Sequence, residues 1–349
     1  MKFILFCQNP YAFGILEPIM QVLKEKNHDY LWFLTDNLSG KFPFPNEPHT
    51  FDMEELIAYK SDAILCPGNE VPYYLRGVKV QIFHGLAGEK KGHFRIRHYF
   101  DLYLTQGPYF TRKFNRLKRR HKNFEVIETG WPKLDIYGKS EGKYSEEKEE
   151  ILKKHSAEKL ILYAPTFSPS LTSAPSLLKE IEQLAENKKY VVLIKFHDLM
   201  ATETVEQYRK LASRTDNIIL EEEPNIVKFL LMADLMISDT SSVVYEFLLL
   251  DKPVVTFKSS SENIAWDNAK SYSGLVEKVE YNLAEDSFAS ERKEIIENYH
   301  PYNDGKSASR MVEAVEAYIE ENGVPERRKL PFLRRRKINR MFKKKRFRS

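Results

Sequence analysis

Short, almost continuous apolar runs alternate with longer amphipathic stretches, and this alternation constrains the chain more than any other feature. Strand-like runs fall at 2–7, 30–34, 63–65, 79–83, 102–105 and 126–128, and again at 160–164, 191–195, 218–220, 235–238 and 254–257. Helical patterns such as 15–26, 176–186 and 241–250 lie between them. A strand that is apolar on both sides must be covered on both faces, and parallel neighbours need a crossover, usually a helix. The pattern therefore predicts an α/β protein built on parallel sheets. Its 349 residues are too many for one ordinary core. The polar segment at 138–150 is the natural break. The expectation is two similar α/β domains facing a cleft, over residues 1–145 and 146–325, followed by a basic amphipathic tail at 326–349.

The formal net charge of +4 hides two regions of opposite sign. From Arg327 onward there are 13 Lys or Arg and no acid, which leaves 41 basic against 50 acidic residues, about −9, in the body. The basic overall balance is thus no argument for a nucleic-acid-binding core, and no nucleic-acid partner is expected. The tail interleaves its cations with Leu330, Phe332, Leu333, Ile338, Met341, Phe342 and Phe347. Ile338, Met341 and Phe342 would share one face of a helix. That mixture points to contact with an anionic membrane surface through residues 327–349, a solvated or RNA-binding tail being the alternatives. Cys7 and Cys66 sit in apolar runs and read as packed small residues of a reducing compartment. No run approaches the roughly 20 apolar residues of a membrane span. The opening lacks the pattern of a secretory signal. The expected location is cytoplasmic, peripheral on the inner face of the cell membrane.

Ligands of open parallel sheets bind beyond the carboxyl ends of the strands, so chemistry is sought just after each run. Ser241 and Ser242 follow the run at 235–238 and precede a helical pattern, where free backbone N–H groups and the positive helix end suit a phosphate. Glu246 lies one turn further on, within reach of a ribose. Simple capping of the helix by Asp239, Thr240 or Ser241 explains the same residues equally well. His84 follows the run at 79–83 and reads either as a hydrogen-bonded structural group or as a general base. Gly85 permits close approach of a substrate. Lys90, Lys91, Arg95 and Arg97 could hold anionic groups or form a solvated surface. His197 repeats the theme after 191–195, and Thr166 lies on a loop stiffened by Pro165 and Pro169. The histidines lack close ligand spacing, so no metal is expected. Neither a G-x-x-x-x-G-K-[ST] loop nor a G-x-G-x-x-G fingerprint follows the first strand, which removes support from kinase and nicotinamide readings, and no cofactor is expected.

Six segments in order carry a resemblance: "FHG" at 83–85, "TGWPKLD" at 129–135, "ILYAPTF" at 161–167, "IKFH" at 194–197, "ADLMISDTSSVVYEFLLLDKPVV" at 233–255 and "YNDGKSASR" at 302–310. Together they resemble the CDP-glycerol glycerophosphotransferases, the enzymes of teichoic-acid-like polymers, which have two Rossmann-like domains in a GT-B arrangement. The resemblance implies transfer of glycerol phosphate from CDP-glycerol, or a related CDP-alcohol, to a hydroxyl of a polymer or lipid-linked acceptor, with release of CMP. It implies His84 as catalytic base and His197 as the histidine beside the donor diphosphate. It places Thr166, Asp239, Ser241, Ser242, Lys306 and Ser307 on the donor side, and Gly85, Lys90 and Lys91 fall beside the base toward the acceptor. The chain departs from the family pattern in "HGLAGEKKG" after His84, in Lys195-Phe196-His197-Asp198, and in Thr240 where an aromatic is usual. A GT-B glycosyltransferase or epimerase using a nucleotide sugar, and a non-catalytic nucleotide-binding scaffold, are the competing readings.

Overall fold

The computed structural model describes residues 1–86, 92–139, 142–223, 226–261 and 264–342. The chain divides into two compact units, one formed by Met1–Lys139 together with Asn298 onward, the other by Ser140–Glu297.

In the first unit, β1 (Lys2–Cys7), β2 (Asp29–Leu34), β3 (His49–Thr50), β4 (Ala63–Cys66), β5 (Val78–Gln81), β6 (Leu102–Thr105) and β7 (Glu125–Glu128) form one sheet in the order β3-β2-β1-β4-β5-β6-β7. Every pairing in it is parallel. In the second unit, β8 (Lys159–Tyr163), β9 (Tyr190–Lys195), β10 (Ile218–Glu221), β11 (Leu235–Ser238), β12 (Val254–Phe257) and β13 (Asp267–Ala269) are ordered β10-β9-β8-β11-β12-β13, again all parallel. The central strands are buried along their whole length, as their continuous apolar runs require. Strand order reverses between β1 and β4 and between β8 and β11. At such switch points neighbouring loops diverge and leave a crevice for a ligand. β3 and β13, only two and three residues long, carry no apolar run and were not expected.

Two boundaries differ from expectation. The first break falls at 139/140 rather than 145/146, and residues 298–325, assigned to the second domain, cluster with the first unit. The cause is a set of contacts between distant segments. His300 Nε2 accepts from Trp131 N at 2.9 Å, Tyr302 donates to Glu128 at 2.7 Å, and Arg310 Nε donates to the Thr129 carbonyl at 2.8 Å. Gly130 has φ +85°, and a Cβ there would lie 2.4 Å from Ser307 Oγ.

The tail differs as well. Leu330, Ile338 and Phe342 are buried in the core of the first unit with Ile4, Phe6, Ile64 and Phe114. Of Ile338, Met341 and Phe342, expected together on a membrane-facing side, Ile338 in the helix Phe332–Met341 and Phe342 just beyond it therefore turn inward, while Met341 stays exposed. Hydrophobic side chains at i and i+4 serve a neighbouring sheet as readily as a lipid surface. Arg328 locks the approach, donating to the His98 and Asn123 carbonyls and pairing with Asp101. Phe347 lies outside the described residues.

Candidate functional site

In the first unit β5 ends at Gln81, and the chain turns through Phe83, whose φ of 60° is left-handed for a bulky residue. His84 follows, exposed to solvent. Its Nδ1 lies 3.0 Å from the Pro67 carbonyl at the end of β4. A carbonyl only accepts, so Nδ1 carries the proton and the neutral ring presents its basic lone pair at Nε2. The Pro67 carbonyl is itself anchored: buried Gln81 donates from Nε2 to the carbonyls of Cys66, Pro67 and Gly68 at 3.2, 3.3 and 2.9 Å. Tyr11 places its ring 5.5 Å from that of His84, and its hydroxyl accepts from Asn9 Nδ2 at 3.1 Å. On the other flank Gln106 Nε2 donates to the Gly85 carbonyl at 3.0 Å. Among the described residues, nothing lies within 4 Å of the position of a Cβ at Gly85. Lys90 and Lys91 lie outside the described residues, while Arg95 is exposed and Arg97 bonds the carbonyls of Gly92 and Arg95.

In the second unit Asp239 directly follows β11 at the switch point and is fully buried. Its two oxygens are consumed by the loop after β8. Oδ1 accepts from Thr166 N at 2.8 Å, and Oδ2 accepts from Ser173 N and Ser173 Oγ at 2.7 and 2.8 Å. Burial pushes its carboxyl pKa upward against the lowering effect of these donors. Asp239 thus shapes the Thr166 loop from within. Ser241 and Ser242 lead into a helix of only six residues, Val243–Leu248, and Ser242 makes no side-chain cap. Glu246 within it is 5% exposed. Thr240 ties this turn to the one after β12, accepting from Ser260 N at 3.1 Å.

His197 follows β9 and is exposed. Here the backbone N–H of Leu199 donates to Nδ1 at 3.1 Å. In the neutral ring the proton therefore sits on Nε2, the reverse of His84. Desolvation lowers its pKa, Lys195 adding to the effect and Asp198 opposing it. The ring packs 4.5 Å from that of Phe167, next to Thr166. A cavity of about 190 Å³, lined by Lys195, His197, Met200 and Glu221 among others, opens at the carboxyl ends of β9 and β10.

Thr166, Asp239 and His197 thus share the carboxyl edge of the second sheet. Lys306 and Ser307 belong to the first unit, where Asp135 accepts from the N–H groups of Ser307 and Ala308 at 2.8 Å each and so takes the amides a phosphate would need. Sequence reasoning missed Gln81, Tyr11, Ser173 and Asp135 as shaping residues. Only Gln81 left a signal, as the polar residue inside the apolar run before His84.

The family described as CDP-Glycerol:Poly(glycerophosphate) glycerophosphotransferase has a model that matches residues 83–317. A teichoic acid glycerol-phosphate primase of Bacillus spizizenii is 38% identical over 106 residues, 30% of this chain and 26% of that protein. The teichoic acid ribitol-phosphate polymerase TarL of Staphylococcus aureus is 26% identical over 276 residues, 67% of this chain and 46% of its own length. The chain thus spans less than half of either relative. Among solved structures, a variant of the wall teichoic acid polymerase TagF matches with a TM-score of 0.67 at 16% identity, covering 91% of this chain and 89% of that one. A UDP-GlcNAc 2-epimerase of Neisseria meningitidis matches with a TM-score of 0.62 at 15% identity, covering 91% and 100%. At such identities the structures establish the fold, two parallel-sheet domains of the GT-B type. The family match spans well over half of the sequence and holds both histidine turns and the Asp239 segment; this chain belongs to the CDP-glycerol:poly(glycerophosphate) glycerophosphotransferase family.

Proposed function

We propose that the protein is a transferase that moves glycerol phosphate from CDP-glycerol, or a related CDP-alcohol, to a hydroxyl of a cell-envelope polymer or lipid-linked acceptor at the inner face of the membrane. The observation that carries this reading is that the two histidines within the family match are bonded oppositely at Nδ1, His84 to a carbonyl and His197 to a backbone N–H. His84, with its lone pair at Nε2, takes the proton of the attacking hydroxyl. The hydroxyl oxygen forms a bond to the glycerol-bearing phosphorus, and the bond from that phosphorus to the bridging oxygen breaks. CMP leaves with the electron pair. His197, neutral and carrying its proton on Nε2, donates a hydrogen bond to the phosphate that gains charge. Thr166, in the loop held by Asp239, and the turn at Ser241–Ser242 supply further donors. Phosphoryl transfer needs mainly positioning and charge stabilisation, which this division of labour provides.

The test is CMP release from CDP-glycerol in the presence of an acceptor extract. His84→Ala is expected to lose at least two orders of magnitude in turnover while still binding donor. Near-normal CMP release by that variant would remove the base assignment. The fold shared with an epimerase makes a nucleotide sugar the competing donor. A rise in unfolding temperature with UDP-GlcNAc but not with CDP-glycerol or CDP-ribitol would favour it.

A further inference from the structure

The turn that presents His84 contains a strained residue. Phe83 has a φ of 60°, a left-handed conformation that bulky side chains rarely adopt, and its side chain is buried. Such a conformation persists only where the surroundings over-determine it. Were Phe83 to relax to an ordinary φ, the peptide after it would swing round. The Nδ1 of His84 would then leave the Pro67 carbonyl, which now lies 3.0 Å away. The orientation of the candidate base is therefore set by whatever holds the ring of Phe83.

Among the described residues three rings lie against it. Phe114, on the helix Pro108–His121, is 5.1 Å away at 47°, and Tyr103, on β6, is 6.2 Å away at 43°. The third is His93, 5.1 Å away and within 8° of parallel. His93 belongs to no helix or strand. It is the residue by which the chain, having left the turn at His84, comes back onto that turn. Its own ring is packed by Phe94 at 5.0 Å and Phe110 at 5.2 Å.

His93 is poorly suited to carrying a proton. Its Nε2 is buried with no partner among the described residues. Burial pushes its pKa down to about 3, with His84 and Arg97 adding to the effect, so the ring is neutral near pH 7. What it offers Phe83 is a flat face.

We propose that His93 is a positioning residue for the transfer reaction. By stacking on Phe83 it holds the left-handed turn, and through that turn it aims the His84 ring at the attacking hydroxyl. The proposal rests on the reading of His84 as the base. It also gives the segment after His84, where the chain departs from the family pattern, a fixed end: the segment leaves from the base and closes on the ring that orients it.

Nitrogen NMR of protein carrying labelled histidine tests this without any substrate, the His84 signals being identified by their loss in His84→Asn. In the unsubstituted chain His84 should show one form, with its proton on Nδ1. His93→Leu keeps an apolar side chain but offers no flat face. It should give a mixture of both His84 tautomers, and kcat for CMP release should fall at least tenfold with donor KM unchanged. His93→Phe restores a flat ring and should recover the single His84 form and most of the turnover. Spectra and rates are taken below each variant's unfolding midpoint, so that lost stability is not read as lost positioning. Unaltered His84 signals and turnover in His93→Leu would overturn the proposal. A folded His93→Phe as inactive as His93→Leu would overturn it too, because His93 would then act through its nitrogens. If the unsubstituted chain releases no CMP from CDP-glycerol or CDP-ribitol, the transferase reading falls, while the NMR comparison still decides whether His93 sets His84.

Discussion

At the scale of single residues, the candidate site is a matter of which nitrogen holds a proton and which carboxylate is already occupied. Gln81 donates to three consecutive carbonyls, one of which fixes the tautomer of His84. Gln81→Leu leaves those acceptors without this donor and is expected to cost about 1–3 kcal/mol of stability, read from denaturant unfolding. It should also shift the pH dependence of turnover, because the ring is no longer held with Nδ1 protonated. A stability loss without any change in that profile would confine Gln81 to architecture. Asp239 offers a parallel case. In Asp239→Asn one acceptor becomes an NH2 group facing N–H donors, so the loop that carries Thr166 should loosen. A fall in unfolding temperature together with a several-fold rise in donor KM is the expected pair of results. His84, His197 and Asp239 were visible in the sequence because each follows an apolar strand. Their proton positions and partners were not, because the Pro67 carbonyl, the Leu199 amide and Ser173 are brought to them by loops whose course no local pattern encodes.

At the scale of elements, two of the family-like segments turn out to be one structural clamp. The turn at 128–138 and the segment at 300–310 meet through His300, Tyr302, Asp135 and Gly130. Gly130→Ala adds a Cβ at a left-handed position against Ser307 and should lower stability by more than about 1 kcal/mol, read from thermal unfolding. His300 is buried, accepts a backbone hydrogen bond, and has its pKa lowered to about 4, chiefly by desolvation. Between about pH 4 and its unfolded value near 6.5 the unfolded chain binds the extra proton. Stability therefore falls as the pH drops through that window, and is fully present above it. His300 accounts for up to about 3 kcal/mol of this loss. In His300→Gln the slope of unfolding midpoint against pH between 6.5 and 4 should become shallower. An unchanged slope would show that His300 titrates normally.

At the scale of the whole molecule, the C-terminal segment changes meaning. Its basic, amphipathic composition reads as a detachable tail, yet Leu330, Ile338 and Phe342 complete the core of the first unit. Each such burial contributes about 1.5–3 kcal/mol. Truncation after Glu326 should accordingly lower the unfolding temperature of the chain markedly. A truncated protein with unchanged unfolding would contradict that packing. The strand pattern by itself determined the class of fold, because a parallel strand buried on both faces is written as a largely apolar run, and eleven apolar-rich runs stand in the sequence where strands form, those at the centre of each sheet buried throughout. It also determined that chemistry collects just after those runs. Only the tertiary structure decided which unit owns residues 298–342, which side of the last helix faces protein, and that Ser307 is capped by Asp135 rather than left open for a phosphate. Those outcomes depend on contacts across more than 150 residues of sequence. Apolar periodicity states that a face will be buried; the partner that buries it is chosen by the fold.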